Sequence, residues 1–241
     1  KINISSDHPR YFLHNETFIV DKMNCNALCF CRRNIETVTI PSFIEIIQSF
    51  AFNSCQQLKS IEFEPNSKLR IIEDYALYDL SIENISIPSS LIELNENWCN
   101  NTQKLTNFSV SKDNPRYSEY NNQLIIGKST KELNDFDVIV FGARNIETLD
   151  VPKFITKIAP LAFEFCNQLK NISFLPLENT IQTIGKYSFS YSLIENISFP
   201  SSVTIICEGA FSHCNNIKSV KFPKDSKLEI IEKDAFTKSS I

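Results

Sequence analysis

The feature of this sequence that most constrains its fold is a short phrase repeated along nearly the whole chain. The phrase places two apolar residues two positions apart, with one residue between them and, in many copies, a Pro directly after. Its eight copies are residues 38–40, 61–63, 85–87, 108–110, 149–151, 172–174, 197–199 and 220–222. In two uninterrupted runs the associated prolines lie 23 or 24 residues apart: Pro41, Pro65 and Pro88, then Pro152, Pro176, Pro200 and Pro223. A fixed period of this size is typical of a solenoid.

Each phrase predicts one short strand of this solenoid. Side chains two positions apart point to the same face of a strand, so the apolar pair faces the core and the residue between faces the other way. A second apolar pair follows, as at Ile46 and Ile47, and then Ala-Phe or a relative, as at Ala51 and Phe52. We interpret this later segment as one or two turns of helix, with Glu73 and Glu232 near the positive end of such turns.

The sequence also repeats with a second, longer period. Residues 2–11 match residues 108–117, and residues 33–37 return as residues 144–148. The chain therefore divides into blocks of roughly 1–107, 108–219 and 220–241 within one predicted solenoid domain, 1–241. Each full block contains an insertion that reads as a β-hairpin with an Asn-containing turn, around Asn15 and around Asn121-Asn122. His8 corresponds to Asn114 in the second block, which favours a role in a turn.

Composition excludes several function classes. The net charge is −4, so the chain has no general attraction to nucleic acid. Only three His and four Gly are present, and neither a phosphate-cradling loop nor a convergent catalytic set can be recognised. We expect no enzyme activity, no cofactor and no metal site. Because the chain opens and closes within the repeat, we expect a fragment of a longer protein, with any membrane anchoring supplied by segments outside it.

The units resemble the BspA-like class of leucine-rich repeats. The resemblance rests on the pattern Ile-Pro, apolar pair, Ala-Phe-x-x-Cys, which residues 200–206 and 208–214 follow closely, and on the Asp-Asn-Pro-Arg-Tyr insertion at residues 113–117. It covers nearly the whole chain. It implies a right-handed α/β horseshoe with short parallel strands on the concave face, short helical turns on the convex side and β-hairpin insertions. Proteins similar to this are typically surface proteins of mucosal bacteria and trichomonads.

The concave face is the first candidate binding surface, because solenoids commonly bind partners there. It would present one small or charged residue from each strand. These residues are Thr39, Glu62, Ser86, Ser109, Asp150, Ser173, Ser198 and Lys221. The face carries no aromatic anchor of the kind that dominates high-affinity interfaces.

The hairpin insertions are the second candidate surface. They carry Arg10, Tyr11, Phe12, Arg116, Tyr117 and Tyr120. Tyr and Arg are common in interface hot spots. The alternative is that the aromatic side chains pack the hairpins onto the solenoid, and the sequence leaves both possibilities open.

Eight cysteines raise the question of redox state. Cys55, Cys166 and Cys214 recur at one repeat position and are expected to be buried apolar fillers. We expect no disulfides among these recurring cysteines, because successive repeats carry the same single position rather than two positions that could pair. Cys25, Cys29 and Cys31 are clustered in the first insertion. They lack a fourth metal ligand, and either free thiols or a disulfide among them is consistent with the sequence.

Asn-x-Ser phrases at Asn84, Asn171 and Asn196 are candidate glycosylation sites if the protein is exported.

With the family resemblance, the sequence predicts a non-catalytic cell-surface or secreted recognition or adhesion protein. Its ligand would be a protein or extracellular-matrix component of a host or neighbouring cell. The alternative is an intracellular, cytoplasmic scaffold for protein–protein interactions.

Overall fold

A computed structural model describes residues 2–130, 132–174 and 180–241. Pro176, one of the repeat prolines, lies outside these described residues. The chain separates into two compact units, Lys1–Arg116 (unit 1) and Tyr117–Ile241 (unit 2). The single solenoid domain and its three blocks stay a prediction.

The described part of unit 1 consists of short strands joined by turns. In chain order these strands are β1 (Tyr11–His14), β2 (Phe18–Asp21), β3 (Ala27–Cys31), β4 (Thr37–Ile40), β5 (Ile46–Ile47), β6 (Ser60–Phe63), β7 (Ile71–Ile72), β8 (Asn84–Ile87), β9 (Glu93–Leu94) and β10 (Asn107–Val110). They form a four-stranded sheet in the order β10-β8-β6-β4 and a six-stranded sheet in the order β1-β2-β3-β5-β7-β9.

Unit 2 repeats this plan. Its described strands are β11 (Tyr117–Tyr120), β12 (Leu124–Gly127), β13 (Val138–Gly142), β14 (Thr148–Asp150), β15 (Lys157–Ile158), β16 (Asn171–Ser173), β17 (Thr183–Ile184), β18 (Asn196–Ser198), β19 (Ile205–Ile206), β20 (Ser219–Lys221) and β21 (Ile230–Ile231). The four-stranded sheet has the order β14-β16-β18-β20, and the other sheet has the order β11-β12-β13-β15-β17-β19-β21.

The four-stranded sheets are the strands that the repeated phrase predicts. Their strands are parallel and aligned in register, so Ile61 pairs with Ile85, and Ile85 with Phe108. Ile61 and Ile85 are buried in the core, and Phe108 is half-buried. The alternation of inward apolar and outward polar residues is therefore confirmed in both units.

The second apolar pair of each repeat forms a separate ladder of two-residue parallel strands. In unit 2 this ladder aligns Ile158, Ile184 and Ile206, each of them fully buried. Buried parallel strands favour branched apolar residues, which agrees with the recurrence of isoleucine here.

The predicted helical turns are wrong: the described part of the chain contains no helix. Each Ala-Phe segment is instead a turn with two residues at positive φ, such as Tyr187 (51°) and Tyr191 (61°). Alternate amides of this segment donate to the next repeat, from Phe189 to the Ala210 carbonyl at 2.8 Å, for example. Positive φ breaks a right-handed helix, and these bonds form a third inter-repeat ladder. Accordingly, the described residues include no helix of the length and hydropathy needed to cross a bilayer.

The acidic residues expected at helix starts also form hydrogen bonds between neighbouring repeats. The Glu73 carboxylate accepts a hydrogen bond from the Ser49 amide at 2.9 Å. The Glu232 carboxylate accepts one from the Glu208 amide at 2.7 Å. Both bonds satisfy a backbone donor of the preceding repeat, as a capping side chain does at a helix end.

Phenylalanine rings stack through the core of unit 2. The Phe189 ring lies 5.0 Å from that of Phe163 and 5.1 Å from that of Phe211, with interplanar angles of 1° and 5°. All three side chains are fully buried. Outside this column, Phe165, Tyr191 and His213 form a parallel stack near the surface, with centroids 4.8 and 4.3 Å apart.

One turn of unit 2 is fitted to its neighbour through a glycine. Gly209 has φ of +61°, and a Cβ atom there would lie 2.1 Å from the Tyr187 ring. Tyr187 and Leu161 adopt a similar φ at the equivalent positions of their own turns, so it is the space rather than the conformation that favours glycine here. The Tyr187 hydroxyl in turn hydrogen-bonds the Glu208 carboxylate at 3.2 Å.

The predicted hairpins are confirmed. β1 pairs with β2, and β11 with β12, both antiparallel. Asn15 and Glu16 join the first pair, Asn121 and Asn122 the second, and all four have φ between 48° and 54°. Two consecutive residues at positive φ are typical of the tight turn that matches strand twist, and Asn adopts this conformation readily.

Candidate functional site: the exposed sheet faces and the hairpins

The polar residues predicted for the binding face lie in the four-stranded sheets, four of them in each unit. In unit 1 Thr39 aligns with Glu62, and Ser86 with Ser109. In unit 2 the aligned pairs are Asp150 with Ser173, and Ser198 with Lys221. Ser86 and Ser173 are half-buried and the other six are exposed. Their role in ligand binding stays a prediction.

A second row on the same face consists largely of asparagine. Asn84 aligns with Asn107 in unit 1, and Asn171 with Asn196 in unit 2. Asn107 carries the same Asn-x-Ser motif as the other three. All four are exposed. Glycosylation of Asn84, Asn171 and Asn196 stays a prediction, and a glycan there would cover the predicted binding face.

In unit 1 the two rows enclose a shallow hollow of about 310 Å³. Three successive strands line it, each with an apolar residue between two polar ones. The lining residues are Ser60, Ile61, Glu62, Asn84, Ile85, Ser86, Asn107, Phe108 and Ser109. Amide, hydroxyl and carboxylate groups at regular strand spacing can hydrogen-bond an extended polar ligand.

Ion pairs between neighbouring repeats lie beside this face, one residue before the strands begin. Lys59 pairs with Glu36 at 2.9 Å, and Lys218 with Glu195 at 2.8 Å. Hydrogen bonding within each pair raises the pKa of Lys59 and lowers the pKa of Glu195. All four side chains are solvent-exposed, so these pairs are weak and add little net charge to the face.

In the first hairpin, Arg10 contacts its own hairpin. Its guanidinium donates to the Asp21 carboxylate from Nε at 2.8 Å and from Nη2 at 2.7 Å, and the Asp21 side chain is only 1% exposed. Hydrogen bonding by Arg10 lowers the pKa of Asp21. The pair therefore adds stability that is lost as the pH falls through this lowered pKa.

The aromatic residues of this hairpin are also engaged. The Tyr11 ring lies 5.5 Å from that of His8, and the Phe12 ring 6.1 Å from that of Phe43. Phe43 follows the repeat proline Pro41, so the Phe12 contact packs the hairpin against the solenoid.

The second hairpin makes corresponding contacts. Tyr117 is buried, and its ring would lie 3.2 Å from a Cβ placed on Gly127. The Tyr120 ring meets the Phe154 ring edge-on at 5.8 Å. Arg116 is half-buried, and its amide donates to the Asn114 side chain at 2.8 Å. These contacts favour packing of the hairpin aromatic residues on the protein itself, while ligand binding by the hairpins stays a prediction.

The predicted turn role of His8 is confirmed. Its Nδ1 accepts hydrogen bonds from the amides of Tyr11 at 2.9 Å and Arg10 at 3.2 Å. In the second block the Asn114 side chain accepts the corresponding bond from the Arg116 amide. A short side-chain acceptor at this position therefore starts both hairpins.

We expect His8→Asn to leave stability nearly unchanged and His8→Ala to cost about 1 kcal/mol, because Ala removes the acceptor for two amides. Thermal unfolding of the three proteins checks this. Equal losses from both substitutions would show that the imidazole contributes through its ring contacts rather than as an acceptor.

The recurring cysteines are buried as predicted, since Cys55, Cys166 and Cys214 are fully inaccessible. In the first insertion Cys25 is exposed, Cys29 half-buried and Cys31 buried. Within the described residues, no three His, Cys, Asp or Glu side chains are placed to hold a metal ion.

The stacked strands and turns define each unit as a leucine-rich repeat β-solenoid. The model of the BspA type leucine-rich repeat region matches residues 24–138 and 134–241, with six copies. The chain belongs to this BspA-type family of leucine-rich repeat proteins. No curated protein matches it.

Two solved structures share the fold. The pneumococcal vaccine antigen PcpA is 19% identical with a TM-score of 0.62, over 86% of this chain and 57% of that one. A leucine-rich cell surface protein from Faecalibacterium prausnitzii A2-165 is 20% identical with a TM-score of 0.52, over 79% of this chain and 60% of that one. The chain thus spans less than two thirds of either relative.

Proposed function

We propose that this protein is a non-catalytic recognition or adhesion protein of the cell surface. It binds protein or extracellular-matrix ligands through the exposed faces of its four-stranded sheets. The observation that carries the proposal is the in-register array of asparagine and serine side chains, with Glu62, around the hollow of unit 1. Such a face offers many hydrogen-bonding groups to a ligand. The charged side chains beside it already form ion pairs with each other, so a ligand on the face does not have to bury unpaired charges.

The comparisons support the surface location. One relative of known structure is a vaccine antigen and the other is a cell surface protein, by their names. Leucine-rich repeat solenoids typically bind partners rather than catalyse reactions, which supports a binding role.

The face of each unit contributes weakly, and the two units together bind by avidity. Without aromatic anchors, a single face cannot supply the few dominant contacts that tight interfaces use. Two linked weak sites can raise apparent affinity by a factor on the order of 10²–10⁴ without new contacts. This arrangement suits an adhesion protein, whose ligands are displayed in many copies.

The test is to fill the face with a long side chain in each unit. Ser86→Arg projects over the hollow of unit 1, and Ser173→Arg stands opposite Asp150 in unit 2. Binding is measured by flow cytometry on epithelial cells and on a surface coated with extracellular-matrix extract. We expect each variant to weaken binding about tenfold and the double variant to abolish it.

The matched control is Ser54→Arg. Ser54 is exposed and lies in a turn segment rather than in the sheet. The Ser54→Arg variant should bind as the unchanged protein does. Unchanged binding by the double variant would overturn the proposal, and equal loss by the control would show a non-specific effect of added charge.

A further inference from the structure

Two cysteines of unit 1 meet where the first hairpin insertion joins the solenoid. Cys31 ends strand β3, and Cys55 lies in the turn segment three residues after Phe52. Both side chains are 0% exposed. Only Cys55 occupies the repeated cysteine position, so the pair is invisible in the repeat pattern.

The backbone holds the two residues side by side. The Cys31 amide donates to the Ala51 carbonyl at 2.8 Å, which aligns the end of β3 with the next turn. The Cys55 Sγ lies 3.8 Å from the Cys31 carbonyl oxygen and 3.8 Å from the Arg32 carbonyl oxygen. The Cys31 Sγ lies 3.7 Å from the same Arg32 oxygen. The two sulfurs therefore converge on one carbonyl group.

The thiols also interact with each other. Hydrogen bonding between them raises the pKa of Cys31 and lowers the pKa of Cys55. A disulfide requires the two sulfurs to come within bonding distance, and their shared approach to the Arg32 carbonyl group brings the two side chains to the same place.

The second block shows that the fold does not need this pair. Gly142 stands at the position of Cys31, and Cys166 at that of Cys55. A Cβ atom at Gly142 would lie 2.1 Å from the Phe163 ring, so a cysteine does not fit there. The Cys166 sulfur instead lies 3.7 Å from the Arg144 guanidinium. Unit 2 thus provides a matched buried thiol without the Cys31 counterpart.

We propose that Cys31 and Cys55 form a disulfide bond when the chain folds in an oxidising compartment. The oxidant is a low-molecular-weight or enzymatic disulfide such as oxidised glutathione. One cysteine thiolate attacks this disulfide and releases one thiol, and the second cysteine then attacks the mixed disulfide and releases the other. One S–S bond forms and one breaks, and two electrons and two protons pass to the oxidant.

The bond would close a loop around one full turn of the solenoid, including β4 and β5. It would fix the hairpin insertion to the first regular repeat and limit fraying at this end of unit 1. Because both sulfurs are buried in the folded protein, the bond forms while the turns are still packing and is afterwards shielded from reductants. The proposal does not depend on ligand binding.

The experiment is oxidative refolding of the full chain from the reduced, unfolded state. With oxidised glutathione we expect a mass lower by ~2 Da and a peptide that links Cys31 to Cys55. Compared with the same protein refolded in reductant, the melting temperature should rise by about 5–10 °C. Folding with all thiols free under these conditions, or a bond from Cys31 to Cys25 or Cys29, would overturn the proposal.

Two variants make the assignment specific. Cys55→Ser removes the bond while its hydroxyl can still donate to the nearby carbonyls, and Cys31→Ser does the same from the other side. Both should lose the linked peptide and the thermal response to oxidant. Cys166→Ser, the matched control, should keep both. Circular dichroism establishes that each variant folds, and persistence of the response in both folded variants would contradict the proposal.

Discussion

Replacing Phe189 by Ala is expected to destabilise the protein by about 3–5 kcal/mol. The Phe189 ring lies between those of Phe163 and Phe211 and is fully buried, so its loss opens a cavity that both neighbouring rings border. Stacked rings on either side cannot close this gap without moving their own repeats. Denaturant unfolding followed by circular dichroism measures the change.

The matched control for Phe189→Ala is Tyr191→Ala, two residues further along the same turn. Tyr191 also stacks between two rings, those of Phe165 and His213, but it is 41% exposed. Its removal should cost about 1 kcal/mol, the range of an exposed aromatic pair. Equal costs at the two positions would show that stacking rather than burial dominates.

The second large effect is expected from Ile197→Asp in the middle of the four-stranded sheet of unit 2. Ile197 is fully buried and aligned with Val220. A carboxylate there has no partner, and its burial costs several kcal/mol, enough to prevent cooperative folding of unit 2. Hydrogen exchange of the amides of β16, β18 and β20 should show loss of protection.

The adjacent residue supplies the control for Ile197→Asp. Ser198 lies on the exposed face directly opposite Lys221, so Ser198→Asp introduces the same carboxylate beside a cation. Its effect should stay within about 0.5 kcal/mol. If Ser198→Asp also abolished exchange protection, the face would be more constrained than its exposure indicates.

The strands could be predicted from the sequence because their signal is local. Alternation with a period of two decides which side chains of a short strand face the core, so the exposed residues from Thr39 to Lys221 follow directly. The hairpins could also be predicted from the sequence, because Asn121 and Asn122 are residues that adopt positive φ easily.

The turn segments could not be predicted in the same way. Tyr187 and Tyr191 adopt positive φ although tyrosine has no preference for it, since the neighbouring repeats hold their amides in the third ladder. An acidic residue followed by Ala-Phe has the local appearance of a helix start. Tertiary hydrogen bonding therefore overrides local propensity here.

The same distinction between local sequence signals and tertiary contacts applies to the candidate site. Its polar rows follow from strand alternation, whereas the alignment of Asn84 with Asn107 depends on the register between repeats. The contact of Cys31 with Cys55 depends on how the insertion joins the next turn. Sequence spacing alone does not give that junction.

The fit between Tyr187 and Gly209 bears on how such an array can be inherited. A recombination event that replaced the Gly209 turn with a copy of the Tyr187 turn would require the Tyr187 ring to move, because that ring now fills the space beside Gly209. Phe50 and Tyr75 show the arrangement that adjacent rings at this position adopt, stacked 5.3 Å apart. Exchange of a single turn therefore requires its neighbour to repack, whereas exchange that carries neighbouring turns together does not. Duplication of the block of about 110 residues preserves these neighbours, and it is the duplication that this chain displays.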